Sequence, residues 1–426
     1  MLVFKSTCKH KLYKHLRPFS ANKRGKMVLT ELTFIGIALL IGLLSSLIAE
    51  RFCLPKTLLL VIVGILFGMV IRAENLAIGL PSELIAGISI FTLILIIFES
   101  TAKIRFRELD IASISALRLT AVTIIMNLFL FTPVALFVLY GGNLNFIFMS
   151  ILFAAIMGGT AADVVLSILG TCKRKIIEML KLESVVNTPL TVIIPLLVIN
   201  VMQGSEIAIF SDFAVRFVIQ VTSGIGAGVV VGLILFKAMS KVYSEQFSPI
   251  AVITAAIITY ILAENIGGDG VLAVTTLGLF FGNLYIKQKV SILEFESLFS
   301  NLLRILIFII TGVLIELPLS INFFMKILIL FIFYTLIRFA AIMLFAKEAA
   351  LKENIFLAFT APKGITVVVV TLTIIAMNIT NFAMLVTYIL GLILLSMVTA
   401  TIAARYSKFF LGVEIEEPKN GRRKKK

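Results

Sequence analysis

Met157-Gly158-Gly159-Thr160-Ala161-Ala162-Asp163 and Thr360-Ala361-Pro362-Lys363-Gly364 interrupt two otherwise apolar segments of a 426-residue chain. Pro362 removes a backbone donor and Gly364 loosens the helix, so a break is expected there. Gly158-Gly159 permits the same in the first stretch. Each stretch also carries an ionisable residue, Asp163 in one and Lys363 in the other. Gly and Pro are common in membrane helices, and one break alone would be unremarkable. Two breaks, each beside a charge, carry more weight if their positions correspond.

They do correspond. The chain divides into thirteen apolar segments, at roughly 28–49, 57–71, 83–104, 117–140, 145–169, 182–202, 213–239, 248–266, 270–286, 296–317, 323–346, 352–377 and 383–404. The interruptions fall in segments five and twelve, and the two short segments are two and nine. Both pairs are seven apart. Segments 1–6 therefore pair with 8–13, and segment seven links them. An odd offset inverts the second copy in the membrane. Interrupted helices in inverted halves point to a secondary transporter with its site near the bilayer midplane.

Composition sets the same class independently. The chain is 60% hydrophobic and 14% charged, with a mean hydropathy of +1.11. A soluble domain is about half apolar and about a quarter charged, so a water-soluble enzyme is excluded, as is a disordered or fibrous protein. Long unalternating runs read as helices, whereas barrel strands would alternate. The expected fold is all-α and polytopic, with about thirteen membrane helices in two inverted repeats and crossed discontinuous helices. Of the net charge of +15, residues 1–26 hold eight Lys/Arg and no acid, and residues 405–426 hold eight Lys/Arg against three Glu. Basic tails on a nearly neutral body suit anionic headgroups rather than nucleic acid.

The loops orient the bundle. Odd loops carry Arg51/Lys56, Lys103/Arg105/Arg107, Lys173/Arg174/Lys175/Lys181, Lys237/Lys241, Lys287/Lys289 and Lys347/Lys352. Even loops hold almost no cations and include Glu206/Asp212, Glu264/Asp269 and Asn378–Asn381. Odd loops and the Gly421–Lys426 end are therefore expected in the cytoplasm, and the N-terminus outside. The basic N-terminal tail conflicts with that orientation. A native start at Met27 removes the conflict; a count wrong by one is the alternative. The tail lacks the long apolar core of a signal peptide.

Cys8, Cys53 and Cys172 show no C-x-x-C spacing, and both histidines, His10 and His15, lie in the N-terminal tail. No zinc site, His-based triad or phosphate loop is visible. The chain reads as a transporter and not an enzyme, with no cofactor beyond the ions it moves.

Most cations sit in tails, loops or span ends; Arg304, Arg338 and Lys363 do not. Asp163 and Glu183 are the acids expected inside. Such groups cost at least ~2.5–3.5 kcal/mol at the bilayer centre and usually pair or mark an ion path. Glu183 and Asn187 are i and i+4, on one helical face, and Ser184 and Thr188 form the neighbouring pair. Together they offer carboxylate, amide and hydroxyl oxygens to an alkali cation. For Ser184, interhelical packing is an equal reading. Asp163 is either a cap on a second half-helix or a proton- or cation-binding carboxylate. Lys363 is placed to offset converging helix-dipole ends. Arg338 has Glu183 as its expected partner, and Arg304 either pairs or snorkels. Glu99 reads as an interfacial residue, and Lys103, Arg105 and Arg107 as cytoplasmic markers only.

The sequence resembles the monovalent cation:proton antiporters, specifically the NhaP-like sodium/proton exchangers, over about residues 28–406. Leu54-Pro55 follows the first helix. Glu183 to Thr188 is similar to the family's Glu-x-x-x-Asn-Asp, and Thr160-Ala161-Ala162 to its Thr-Asp-Pro break. Arg304 to Gly312 is similar to its Arg before a Phe-rich run and Gly. Arg338 matches its arginine in segment eleven, and Ala361-Pro362-Lys363-Gly364 its Gly-Pro-Arg-Gly.

The resemblance implies an NhaA-like antiporter fold and a homodimer in the cell membrane. Residues 27–406 would form the transmembrane domain, with a moving core within 117–202 and 323–404. The dimer scaffold would lie within 28–104 and 213–317, and 407–426 would be a cytoplasmic tail. It also implies a Glu183–Arg338 pair. Two departures stand out: the family's cation- and proton-binding aspartate is Thr188 here, and the aspartate of its Thr-Asp-Pro break is Ala161. Asp163 and Glu183 are then the remaining candidate carboxylates, and Asp163, two positions beyond Ala161, is the expected replacement.

The expected cation set is Thr160, Asp163, Asn187 and Thr188, with Glu183 beside it and Arg338, Lys363 and Arg304 as supporting charges. Sodium or lithium against protons, by alternating access, is the leading reading. Potassium or another solute on the same fold, or a non-transporting sensor, are the rivals.

Overall fold

In the computed structural model, residues 23–52, 54–73, 81–104, 111–161, 165, 175–203, 210–241, 247–284, 288–315, 318, 320–345, 350–377, 379 and 382–411 are described. Their regular structure is helical throughout. In chain order the helices are α1 (Lys23–Arg51), α2 (Lys56–Ala73), α3 (Ser82–Ala102) and α4 (Ile111–Met126). A π-helical turn (Asn127–Phe131) joins α4 to α5 (Thr132–Tyr140). Then follow α6 (Ile147–Ile156), α7 (Lys175–Gln203), α8 (Phe210–Lys241), α9 (Phe247–Asn265), α10 (Gly270–Asn283) and α11 (Lys289–Leu314). The last third holds α12 (Ile321–Phe345), α13 (Leu351–Phe359), α14 (Ile365–Ala376), α15 (Phe382–Arg405) and the short α16 (Ser407–Leu411).

Every one of the thirteen apolar segments contains a helix. Among the described residues, ten helices are long and apolar enough to cross a membrane. Three shorter apolar helices, Leu144–Ile156, Gly270–Asn283 and Ile365–Ile375, fall in segments five, nine and twelve. Helix length thus supports ten crossings directly. Segment nine is the shortest uninterrupted one: fourteen residues rise only about 21 Å at 1.5 Å each. The chain is a multi-pass membrane protein. Its outer helix faces agree, since Leu40, Leu47 and Phe129 are well exposed, as lipid-facing side chains are.

The π turn was not legible as such. Pro133 stands at the start of α5 and has no N–H to give. Its ring also crowds the carbonyl four residues earlier, and a widened turn absorbs both effects.

Two groups of helices pack mainly among themselves. Helix α11 packs on α2, α1 and α3, while α10 packs on α8, α3 and α9. In the other group α7 packs on α4 and α6, and α12 packs on α4, α13 and α15. Helix α14 crosses between the groups, touching α3 and α11 on one side and α7 and α15 on the other.

Close approach in the first group depends on glycine. A Cβ on Gly312 would meet the Val61 carbonyl oxygen at 2.5 Å and Gly64 Cα at 2.6 Å. Bare backbone on both helices lets α2 and α11 touch, the small-residue packing that membrane helices use without a hydrophobic driving force between them.

Candidate ion site at the crossing of two broken helices

Both interrupted segments break where the sequence places the interruption. Helix α6 ends at Ile156, with Met157 as its C-cap, and Gly158, Gly159 and Thr160 leave the helical path. Helix α13 ends at Phe359 and α14 begins at Ile365. The two breaks meet: the Ala161 amide donates to the Pro362 carbonyl at 2.9 Å. A Cβ on Gly364 would overlap the Ala161 methyl group, and one on Gly159 would meet Thr191 and Val367 at 2.5 Å. The crossing is therefore tight enough to require glycine on both strands.

Helix α7 supplies the polar wall. Glu183 accepts two parallel hydrogen bonds from Arg338 of α12, Nη1 to Oε1 at 2.7 Å and Nη2 to Oε2 at 2.9 Å. Both side chains are almost wholly buried, and Arg338 Nε donates to the Leu357 carbonyl at 3.3 Å. This fork-to-carboxylate geometry is the strong form of such a pair.

One turn on, Asn187 Nδ2 donates to the Gly158 carbonyl at 3.0 Å and to Thr160 Oγ1 at 2.8 Å. Thr160 Oγ1 donates in turn to Glu183 Oε1 at 3.3 Å. Thr191 Oγ1 donates to Asn187 Oδ1 at 3.1 Å. The first break is thus tied to α7 through a chain of hydroxyl, amide and carboxylate groups.

Lys363 occupies the second break. Its amide donates to Ser396 Oγ at 3.0 Å, and its ammonium donates to the Met157 carbonyl. The same ammonium lies 3.5 Å from the centroid of the Tyr334 ring. Met157 is the C-terminal cap of α6, the negative end of that helix dipole, where a cation is favoured. Burial is complete to within 1%. The crossing therefore holds one carboxylate and two basic groups among the described residues.

The structure brings together Thr160, Glu183, Asn187, Arg338 and Lys363. Thr188 is nearly buried, but its hydroxyl donates back to the Ser184 carbonyl at 2.8 Å. Asp163 lies outside the described residues.

Arg304 belongs elsewhere. Its Nη2 meets Glu99 Oε2 at 3.4 Å, on the α3–α11 side. Glu99 also accepts from Lys103 at 2.6 Å and from Ser300 at 2.9 Å. Glu99 is thus a buried ion-pair centre rather than an interfacial residue, and Lys103 is more than a topology marker. Both sit near the end of a segment, where position along the chain suggests the interface. Packing of α3 against α11 buries Glu99 instead, while Lys103 stays about half exposed.

Thr191, Tyr334 and Ser396 were not singled out from the sequence. Thr191 and Tyr334 carried a signal: each stands four residues from a recognised site residue, Asn187 and Arg338. Ser396 carried none, because only the fold brings α15 to Lys363.

Buried charge at a crossing of interrupted helices gives the chain the architecture of a secondary transporter. The profile of the family described as "Sodium/hydrogen exchanger, transmembrane" matches residues 35–405. The chain belongs to that family.

The chain is 28% identical over 257 residues to the low-affinity Na(+)/H(+) antiporter NhaS1 of Synechocystis, covering 59% of this chain and 46% of that one. It is 24% identical over 288 residues to the K(+)/H(+) antiporter NhaP of Alkalimonas amylolytica, covering 66% and 49%. Against these two it spans about half of their length. With the Na(+)/H(+) antiporter 1 of Methanocaldococcus jannaschii the identity is 24% over 371 residues, covering 80% and 82%. The solved structure of the sodium proton antiporter MjNhaP1 from M. jannaschii at pH 8 superposes with a TM-score of 0.74 at 19% identity, covering 92% of this chain and all of that one. The fold is that of the NhaP antiporters.

Proposed function

We propose that the protein exchanges a monovalent cation, sodium or lithium, for a proton by alternating access across the cell membrane. The observation that carries this reading is the Ala161–Pro362 crossing with Thr160 and Asn187 bound to it. The oxygens there are hydroxyl, amide and main-chain carbonyl, which replace the hydration shell of a hard cation. Membership of the exchanger family supports the same reading.

The roles follow from charge. Arg338 does not lose its proton in proteins, so the closed Glu183–Arg338 fork is the structural tie between α7 and α12. The proton must be carried by another group, and Asp163 is the carboxylate nearest in sequence to the first break. Lys363, fully buried at the second break, is a second candidate carrier, because a lysine, unlike an arginine, can release a proton inside a protein.

Helices α4–α7 and α12–α15 would move against a scaffold of α1–α3 and α8–α11, which forms a homodimer. The odd loops would face the cytoplasm. Thr188 would add a hydroxyl to the ion path.

Reconstitution with an imposed pH gradient tests this. Sodium or lithium should dissipate the gradient, Asp163→Asn should abolish the response if Asp163 is the carrier, and Lys363→Gln if Lys363 is. A response to potassium alone would replace the cation assignment. Silence to sodium, lithium, potassium and rubidium would refute exchange.

A further inference from the structure

Glu296 stands apart from the crossing site. It lies in the second turn of α11, is 0% exposed, and neither carboxylate oxygen has a hydrogen-bond partner among the described residues. Several donors nearby go to another carboxylate. Glu99 of α3 accepts from Lys103, Ser300 and Arg304 at 2.6, 2.9 and 3.4 Å. Glu296, Ser300 and Arg304 stand at i, i+4 and i+8, so they share the face of α11 that meets α3. Glu296 lies within electrostatic reach of Glu99, Lys103 and Arg304. A fully buried, ionised carboxylate without partners is expensive, and such a group holds a proton instead.

We propose that Glu296 is a second proton-binding site, and that releasing this proton redistributes Arg304 between Glu296 and Glu99 at the α3–α11 interface. With Glu296 protonated, Glu99 faces two cations and the cluster carries +1. With Glu296 ionised, two carboxylates face two cations and the cluster is neutral. Those two charge states are what make the arrangement bistable.

Lys103 is about half exposed and links the cluster to water. Among the described residues, the nearest acids and Arg72 on the other helices packed on α11 are engaged or placed elsewhere. Arg72 of α2 donates to the Val313 and Ile315 carbonyls, at the far end of α11. Glu264 of α9 accepts from the Gly270 amide. Of the two acids in α1, Glu50 pairs with Lys56 and Glu31 stands at the opposite end of that helix. Helix α14 has no ionisable residue.

The consequence reaches the crossing through packing. Helices α3 and α11 both bear on α14, which starts at the Lys363 break. A change of charge at Glu296 therefore acts on the surface against which that half-helix rests, and makes exchange respond to pH. This last step rests on the exchange reading; proton binding at Glu296 does not.

Infrared difference spectroscopy of the reconstituted protein across a pH titration tests the site without transport. The parent should lose a buried carboxylic-acid carbonyl band as pH rises, and Glu296→Gln should lack that band. Glu99→Gln should move the pH at which the band is lost, because Glu99 faces Glu296. A parent titration identical to that of folded Glu296→Gln would overturn the proposal. So would a Glu296 band unmoved by Glu99→Gln. Flux measured on the same vesicles should lose one pH-dependent step in Glu296→Gln. Parent vesicles without flux would refute exchange, and the infrared result would still decide Glu296.

Discussion

Replacing Arg338 with methionine leaves Glu183 as a buried carboxylate with one long hydrogen bond, from Thr160 at 3.3 Å. The pair is bidentate at 2.7 and 2.9 Å, and its two side chains are 1% and 2% exposed, so water does not screen it. Removing one partner of such a pair costs about 3–5 kcal/mol, because the remaining charge is buried and uncompensated. Glu183→Leu should cost a similar amount by stranding the guanidinium. The double variant Glu183→Leu/Arg338→Met removes both charges and should recover most of the loss, since a buried pair is often replaceable by apolar side chains. The singles and the double form a cycle whose coupling energy should exceed about 2 kcal/mol. The chain has no Trp, so unfolding in SDS is best followed by circular dichroism. Single variants as stable as the parent would refute the reasoning. A double variant no better than the worse single would do the same.

Gly312→Ala should weaken the α2–α11 seam, because its Cβ meets backbone rather than movable side chains; overpacking of this kind costs about 1–3 kcal/mol, readable in the same unfolding assay. Asp269 caps α10 by accepting from the Leu272 amide at 2.8 Å, so Asp269→Ala should lose about 0.5–2 kcal/mol. Asn187→Ala removes the donor that joins Thr160 and the Gly158 carbonyl, and the cation concentration giving half-maximal flux should rise. Thr160→Ser keeps the hydroxyl and should stay near the parent value, whereas Thr160→Ala should follow Asn187→Ala. Equal flux curves for the serine and alanine variants would remove Thr160 from the site.

Much of the fold was legible because membrane helices announce themselves locally. An apolar run long enough to span hydrocarbon has little choice but to be helical, since every peptide group must find its partner within the segment. Pro362 and the glycines disrupt that rule over a few residues, and both breaks could be placed to within a turn. The i, i+4 spacing of Glu183 and Asn187 is equally local. It put both side chains on one face before any partner was known.

What the sequence could not decide was which distant groups meet. Arg338 had one plausible acidic partner and found it. Arg304 and Glu99 stand 205 positions apart, and nothing in either segment predicts their encounter. Glu296 looked like the first residue of a span. Helix α11 begins earlier, at Lys289, which carries Glu296 a full turn inside and against α3. Burial of a charge depends on what covers it, and cover is supplied by helices remote in the chain. Segment positions and breaks thus belong to the sequence alone. The separation of the charges into a crossing site and an α3–α11 cluster belongs to the tertiary structure, because only packing sets the distances over which buried charges act.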